Sequence, residues 1–192
     1  MLITSRCWNE DGRCHSFDSQ GTGYGRGEGA GIVVLKRFDH ALRDGDPIRA
    51  VIRGSGVNQD GRTNGITVPR SESQKDLIVS VYRKAGLDPE ETTFVEAHGT
   101  GTAVGDPLEV AAIRSAFRKN HVGRPLHIGS IKPNIGHLES ASGIASLIKG
   151  VLMLEHRMMP GTIGIQTLKP NLELDAHGIQ ICLLYTSPSP RD

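Results

Sequence analysis

Apolar positions in this chain gather into short runs separated by glycine- and proline-rich breaks, and the period within each run sets the element it predicts. Ile32-Val33-Val34-Leu35 is an unbroken apolar run between a glycine cluster and a charged turn, the pattern of a buried strand within Ala30 to Lys36. Phe38 to Arg43 reads as a short helix ended by Asp44-Gly45-Asp46-Pro47. Ile48, Ala50 and Ile52 then alternate with Arg49, Val51 and Arg53, which predicts a second strand from Ile48 to Val57. After a polar loop, Asn58 to Pro69, Ser71 and Gln74 fit a capping box. Leu77, Ile78, Val81 and Tyr82 follow at helical spacing, and Gly86 supplies a C-cap. Thr92 to Ala97 predicts a short strand ending at His98. Asp106, Pro107 and Glu109 suit the N-cap, N1 and N3 positions of a helix reaching Phe117. Leu126 to Ile131 predicts another strand, followed by a helix of small and apolar residues from about Glu139 to Glu155, where Ala141, Gly143 and Ala145 favour close packing. Strands alternate with helices, so the fold class is α/β with helices covering a sheet.

Composition narrows the function classes. The 192 residues carry 22 basic and 21 acidic side chains and a net charge of +1, which gives no reason to expect a nucleic-acid or anionic-membrane partner. Hydrophobic residues make up 37%, as in a soluble globular chain. The longest apolar stretch, Ile144 to Leu154, is interrupted by Lys149 and is too short to span a bilayer. No basic run followed by an apolar run marks a secretory signal. Cys7, Cys14 and Cys182 form neither a disulfide framework nor a metal pair, so a reducing, cytoplasmic setting is expected, with no metal. The character changes at residues 182–192, where Thr-Ser-Pro-Ser-Pro-Arg-Asp can continue neither strand nor helix; this tail resembles a translated cloning or sequencing adaptor, foreign to the fold.

Chemistry concentrates in two blocks. In Glu96-Ala97-His98-Gly99-Thr100-Gly101-Thr102, followed by Gly105-Asp106-Pro107, a histidine leaves a strand end into a turn whose glycines permit close backbone approach to a ligand and whose two hydroxyls flank it. In Ser130-Ile131-Lys132-Pro133-Asn134-Ile135-Gly136-His137-Leu138-Glu139, a second histidine follows a strand and precedes the small-residue helix, with Lys132 five positions earlier. Taken singly, each histidine suits a satisfied glycine turn and Lys132 a solvated surface. A third block, Asn58-Gln59-Asp60-Gly61-Arg62-Thr63, reads by itself as a turn. The glycine cluster Gly21 to Gly29 precedes a strand and lacks a Gly-Lys-Ser/Thr ending, so it is neither a phosphate loop nor a dinucleotide fingerprint and reads as a structural turn.

In this order, the blocks at His98, Lys132 to His137 and Asn58 to Thr63 resemble the second half of a β-ketoacyl synthase (ketosynthase) domain of the type I polyketide-synthase kind, over roughly residues 10 to 181. The resemblance implies a thiolase-like fold of layered α-β-α-β-α architecture, present here mainly as its second half: residues 1–20 a partial leading segment, 21–181 the ketosynthase portion, 182–192 the tail. It implies an acyltransferase of polyketide or fatty acid biosynthesis, in which a cysteine takes an acyl chain from a carrier-protein thioester and a malonyl-type extender loses carbon dioxide and attacks it. By motif position, His98 and His137 are the two catalytic histidines, Lys132 supports them electrostatically, and Thr100 and Thr102 contact the pantetheine arm. No cofactor is bound directly; the phosphopantetheine of an acyl carrier protein carries substrate. Carrier protein, the other synthase domains, the missing N-terminal half and, in the complete domain, a second copy are the implied partners.

Two departures matter. Fatty-acid-type relatives often carry a glutamate nine positions after the second histidine, where this chain has Ser146, which leans toward the polyketide branch. The nucleophilic Ala-Cys-Ser-Ser elbow is absent, and none of Cys7, Cys14 and Cys182 suits the role, so the expectation is a fragment inactive by itself. A non-catalytic, thiolase-like partner subunit is the alternative; a thiolase, whose second catalytic cysteine would have to be Cys182, is a third reading.

Overall fold

The computed structural model describes residues 8–63, 65, 67–117, 125–174 and 178–183. Three short parallel strands form its sheet, β1 (Phe94–Glu96), β2 (Leu126–Gly129) and β3 (Ile179–Ile181), in the order β1-β2-β3. Val95 lies opposite Ile128, and Ile128 opposite Ile181. The α-helices are α1 (Phe38–Asp44), α2 (Ser71–Ala85), α3 (Gly105–Ala116), α4 (Lys132–Ile135) and α5 (Ser142–His156). Parallel neighbours need crossover connections, and here α3 to α5 lie in them, while α1 and α2 precede β1.

The core lies between the sheet and α3. Val110, Ile113, Ala116 and Phe117 pack with Leu126, Ile128, Ile179 and Ile181, joined by Phe17, Ala97, Leu172 and Leu174. Helix α2 packs on α3, and Tyr82 meets Phe117 edge-on with ring centroids 5.4 Å apart. The helical spacing divides α2 between two surfaces. Ile78 and Tyr82 face the core, while Leu77 and Val81 press on the backbone near Gly56, where an added Cβ would come within 2.6 Å of Val81 Cγ2.

Several expectations change. Ala30–Lys36 and Ile48–Val57 follow extended sequence patterns but form no strand ladder, and Ile32 and Val34 are 91% and 94% exposed. A strand needs a partner ladder, and among the described residues none lies beside these segments. The capping boxes do not form either. Ser71 is already helical behind an N-cap at Arg70, and α3 begins one residue before Asp106, behind Val104; neither has a side-chain cap. The small residues at and before the start of α5 do not pack closely: Gly143 faces open space, and Ala141, just ahead of the helix, and Ala145 line an apolar groove of about 400 Å³. The strand β3 and the helix α4 had no counterpart in the sequence reading. Cys182, placed by composition in the foreign tail, is built into the sheet: its N–H donates to Ile128 O (2.8 Å), and its carbonyl accepts from Thr162 N. The rest of the tail beyond residue 183 lies outside the described residues, as do residues 1–7 with Cys7.

Candidate active site

β1 and β2 run side by side, so the turns that leave their carboxyl ends emerge together. The β1 turn carries His98 and the β2 turn carries Lys132 and, after α4, His137. The two imidazoles meet edge-on, with centroids 4.9 Å apart and planes at 86°. The ring of Tyr24 lies 4.9 Å from that of His137 on another side, with its hydroxyl donating to Glu139 Oε1 (2.8 Å).

Two buried or partly buried carboxylates hold the His98 turn. Glu109 accepts from the N–H groups of His98 and Gly99, at 2.6 and 2.8 Å. Asp106, with no exposed surface, accepts from Gly101 N (3.0 Å), Phe17 N (2.8 Å) and Lys169 Nζ (3.1 Å). Both residues are thus drawn from helix capping into loop anchoring, which accounts for the uncapped start of α3. Ser130 Oγ donates to Gly99 O (3.2 Å) and lies 3.4 Å from His98 O, tying the two turns together. Gly101 has φ +85°, and a Cβ there would lie 2.7 Å from His15 N, so only glycine fits.

The glycine cluster wraps the second turn. His137 N–H donates to Gly25 O (2.8 Å), and Gly27 N–H donates to His137 O (3.0 Å). A Cβ on Gly27 would come within 2.2 Å of Ile135 O. The cluster is structural, as its sequence indicated, and what it structures is the His137 backbone. The ring of His137 accepts at Nδ1 from Glu139 N–H (3.1 Å), which leaves the proton of the neutral imidazole on Nε2.

Charge around the pair favours neutral rings. Lys132 is 2% exposed; burial pulls its ammonium below the ordinary lysine value, with Glu109 and Glu96 opposing. Burial also lowers His137, followed by the charge of Lys132, while Glu139 opposes. His98 is pushed down to about 4, first by the surrounding protein mass, then by Lys132 and His137. His98 is nonetheless partly open to solvent. Both shifts favour the neutral imidazole over the charged one.

Thr100 is buried, and its hydroxyl lies 3.2 Å from that of Thr102, which accepts from Gly105 N–H (3.0 Å). The block at Asn58 stays apart: Asn58 Nδ2 donates to Ser73 O (2.6 Å) and Thr63 Oγ1 to Gly65 O (2.7 Å). Neither described cysteine is set up as a nucleophile. Cys14 is buried and donates to Gly25 O (3.2 Å), and burial pushes both its thiol and that of Cys182 up, away from the reactive thiolate. No group of three or more histidine, cysteine or acidic side chains suited to a metal ion occurs among the described residues. Sequence reasoning missed Asp106 and Glu109 as anchors, and assigned no role to Ser130 or Tyr24; the acids at fixed distance after the His98 turn were the available signal.

Comparison with known proteins bears on the family and the fold. The family model for the beta-ketoacyl synthase C-terminal domain matches residues 49–166, and that for the N-terminal domain matches residues 2–41. Highly reducing polyketide synthase Preu1 of Preussia isomera is 61% identical over 162 residues, which are 84% of this chain and 7% of that protein. Highly-reducing polyketide synthase 1 of Aureobasidium melanogenum is 53% identical over 99% of this chain and 9% of its own length. Among solved structures, the oxazolomycin ketosynthase domain OzmH KS7 of Streptomyces albus JA3453 superposes with a TM-score of 0.89 at 40% identity, over 93% of this chain and 31% of that one. The ketosynthase from module 6 of the bacillaene synthase of Bacillus subtilis 168 gives 0.86 at 39% identity, over 92% and 32%. The chain therefore spans under a tenth of these two synthases and about a third of these two ketosynthase chains. Its fold is a partial thiolase-like ketosynthase fold.

Proposed function

The chain belongs to the β-ketoacyl synthase family, and from that premise we propose that it is the histidine-bearing part of a polyketide-synthase ketosynthase, which performs decarboxylative Claisen condensation. The observation that carries this is the edge-on pair of neutral imidazoles beside a buried lysine. Decarboxylation releases carbon dioxide from the malonyl group and leaves its bonding electrons on the thioester as an enolate. Negative charge gathers on the thioester oxygen, where preorganised N–H donors lower the barrier most. His137 offers its Nε2–H to that oxygen and His98 does the same from the perpendicular ring. The enolate carbon then attacks the acyl carbonyl, the cysteine leaves as thiolate, and a 3-ketoacyl thioester forms. Burial, and after it the charge of Lys132, keeps both rings in the donating neutral state. Thr100 and Thr102 bind amides of the pantetheine arm, whose acyl carrier protein is the substrate carrier.

The nucleophile comes from a ketosynthase segment outside this sequence, whose cysteine elbow completes the site. The same missing part covers the apolar face at Ile32, Val34, Leu35 and Val57. The chain, matched by the two ketosynthase family models over residues 2–41 and 49–166, forms part of the ketosynthase domain of a multidomain synthase that acts as a homodimer in the cytoplasm. No helix among the described residues is long and apolar enough to cross a membrane. A non-catalytic partner subunit has no use for two neutral histidines held against a buried lysine, and the enzyme reading is preferred for that reason. Mass-detected loading tests it: incubated with an acyl thioester, the purified chain takes up no acyl group, and stable acylation of Cys14 or Cys182 would overturn the assignment of the nucleophile.

A further inference from the structure

Lys149 interrupts the longest apolar run of the sequence, and in the fold its ammonium turns inward. It donates to Glu96 Oε2 at 2.6 Å, and the two side chains are only 9% and 10% exposed. The other oxygen, Oε1, accepts from Ile131 N–H at 2.7 Å. Lys149 Nζ also lies 5.5 Å from the centroid of the Phe94 ring. Three segments of the site converge on this one carboxylate. Glu96 ends β1 two residues before His98, Ile131 immediately precedes Lys132 at the start of the β2 turn, and Lys149 stands on α5, which follows the His137 turn. A buried ion pair offsets its own desolvation poorly unless further hydrogen bonds complete it, and removal of one partner strands the other. This pair is completed by a backbone N–H from the turn that carries Lys132.

We propose that Glu96 and Lys149 are a positioning pair of the condensing site, which fixes the β2 turn against the β1 turn and so sets the edge-on arrangement of His98 and His137. Neither residue touches substrate in this account. The proposal rests on the assignment of the two histidines to the condensing site, but its geometric content is testable without turnover. A fold-stabilising pair and a positioning pair differ in one respect: only the second holds the turns in register while the protein remains folded.

The test is NMR on the full 192-residue chain labelled with 15N and 13C, for the parent, Lys149→Met, Glu96→Gln and Lys149→Arg, at a temperature where each remains folded. A positioning role predicts that amide exchange at Ile131 accelerates at least tenfold in Lys149→Met and Glu96→Gln. The nuclear Overhauser contact between the His98 and His137 rings is lost in both, and Lys149→Arg retains protection and contact. If Lys149→Met does not fold, the isosteric Glu96→Gln carries the same readout. Ile131 exchange within threefold of the parent and an intact ring contact, with only a lowered melting temperature, would reduce the pair to a structural one. Failure of the condensing-site reading would show instead as histidine-independent condensation, with these NMR results unaffected.

Discussion

Replacement of Asp106 by Asn is the sharpest test of how the His98 turn is held. The carboxylate is fully buried and takes three donors: Gly101 N–H on one oxygen, and Phe17 N–H and Lys169 Nζ on the other. Asparagine has a single acceptor oxygen. If that oxygen keeps Gly101, an NH2 group confronts both the Phe17 amide and a buried ammonium. Lys169 keeps only the Thr102 carbonyl, at 2.8 Å. A stranded buried donor costs about 1–3 kcal/mol, and breaking one side of a buried ion pair costs about 3–5 kcal/mol. Phe17 adds to the loss, because its φ of +64° is a strained conformation that the Asp106 bond helps hold. The expected destabilisation is about 3–5 kcal/mol, a large part of the roughly 5–15 kcal/mol of a typical domain. Urea unfolding followed by the fluorescence of Trp8 measures it. Asp88→Asn is the control, since exposed Asp88 only caps a turn at Glu90 N and asparagine caps as well, so its effect should stay within about 0.5 kcal/mol. Lys169→Met in a double-mutant cycle should give a coupling of at least about 1 kcal/mol. A loss below about 1 kcal/mol for Asp106→Asn would refute the anchoring role.

Three further outcomes are expected. In an NMR pH titration His98 gains its proton near 4 and His137 below the ordinary histidine value, and Lys132→Ala shifts His98 upward; titration of His98 at or above 6.5 in the parent chain contradicts the neutral-pair reading. Since the folded value of His98 lies below the unfolded one, its contribution to stability is complete above pH 6.5 and is lost as pH falls toward 4, so His98→Gln should flatten that decline in urea midpoints. Gly101→Ala should lower stability by roughly 2 kcal/mol or more, through a left-handed backbone and a 2.7 Å approach to His15 N; an unchanged melting temperature would mean that the turn relaxes freely.

Local pattern foretold the elements whose signals are local. Helix α2 follows the spacing of Leu77, Ile78, Val81 and Tyr82 and ends at the left-handed Gly86; His98 sits just beyond β1, and His137 follows β2 after the intervening α4. What failed were positions whose fate depends on distant residues. Asp106 and Glu109 look like capping residues because their spacing from Pro107 is right, yet stronger demand comes from the backbone amides of the His98 turn. Ile32 to Leu35 has the composition of a buried strand, but strand formation needs a neighbouring ladder that the described residues do not supply. The Glu96–Lys149 pair was legible only as an oddity, a charge inside an apolar helix, because its partner lies fifty-three positions away.

Condensation in a reconstituted mixture tests the central claim most directly. The chain is combined with a separately expressed first-half ketosynthase fragment, loaded with an acyl thioester and given a malonyl thioester, and the 3-ketoacyl product is followed by mass spectrometry. The account predicts product only in the mixture, reduced at least about 100-fold by His98→Ala and by His137→Ala, as loss of an oxyanion donor does elsewhere. Product formation that survives both substitutions would contradict it.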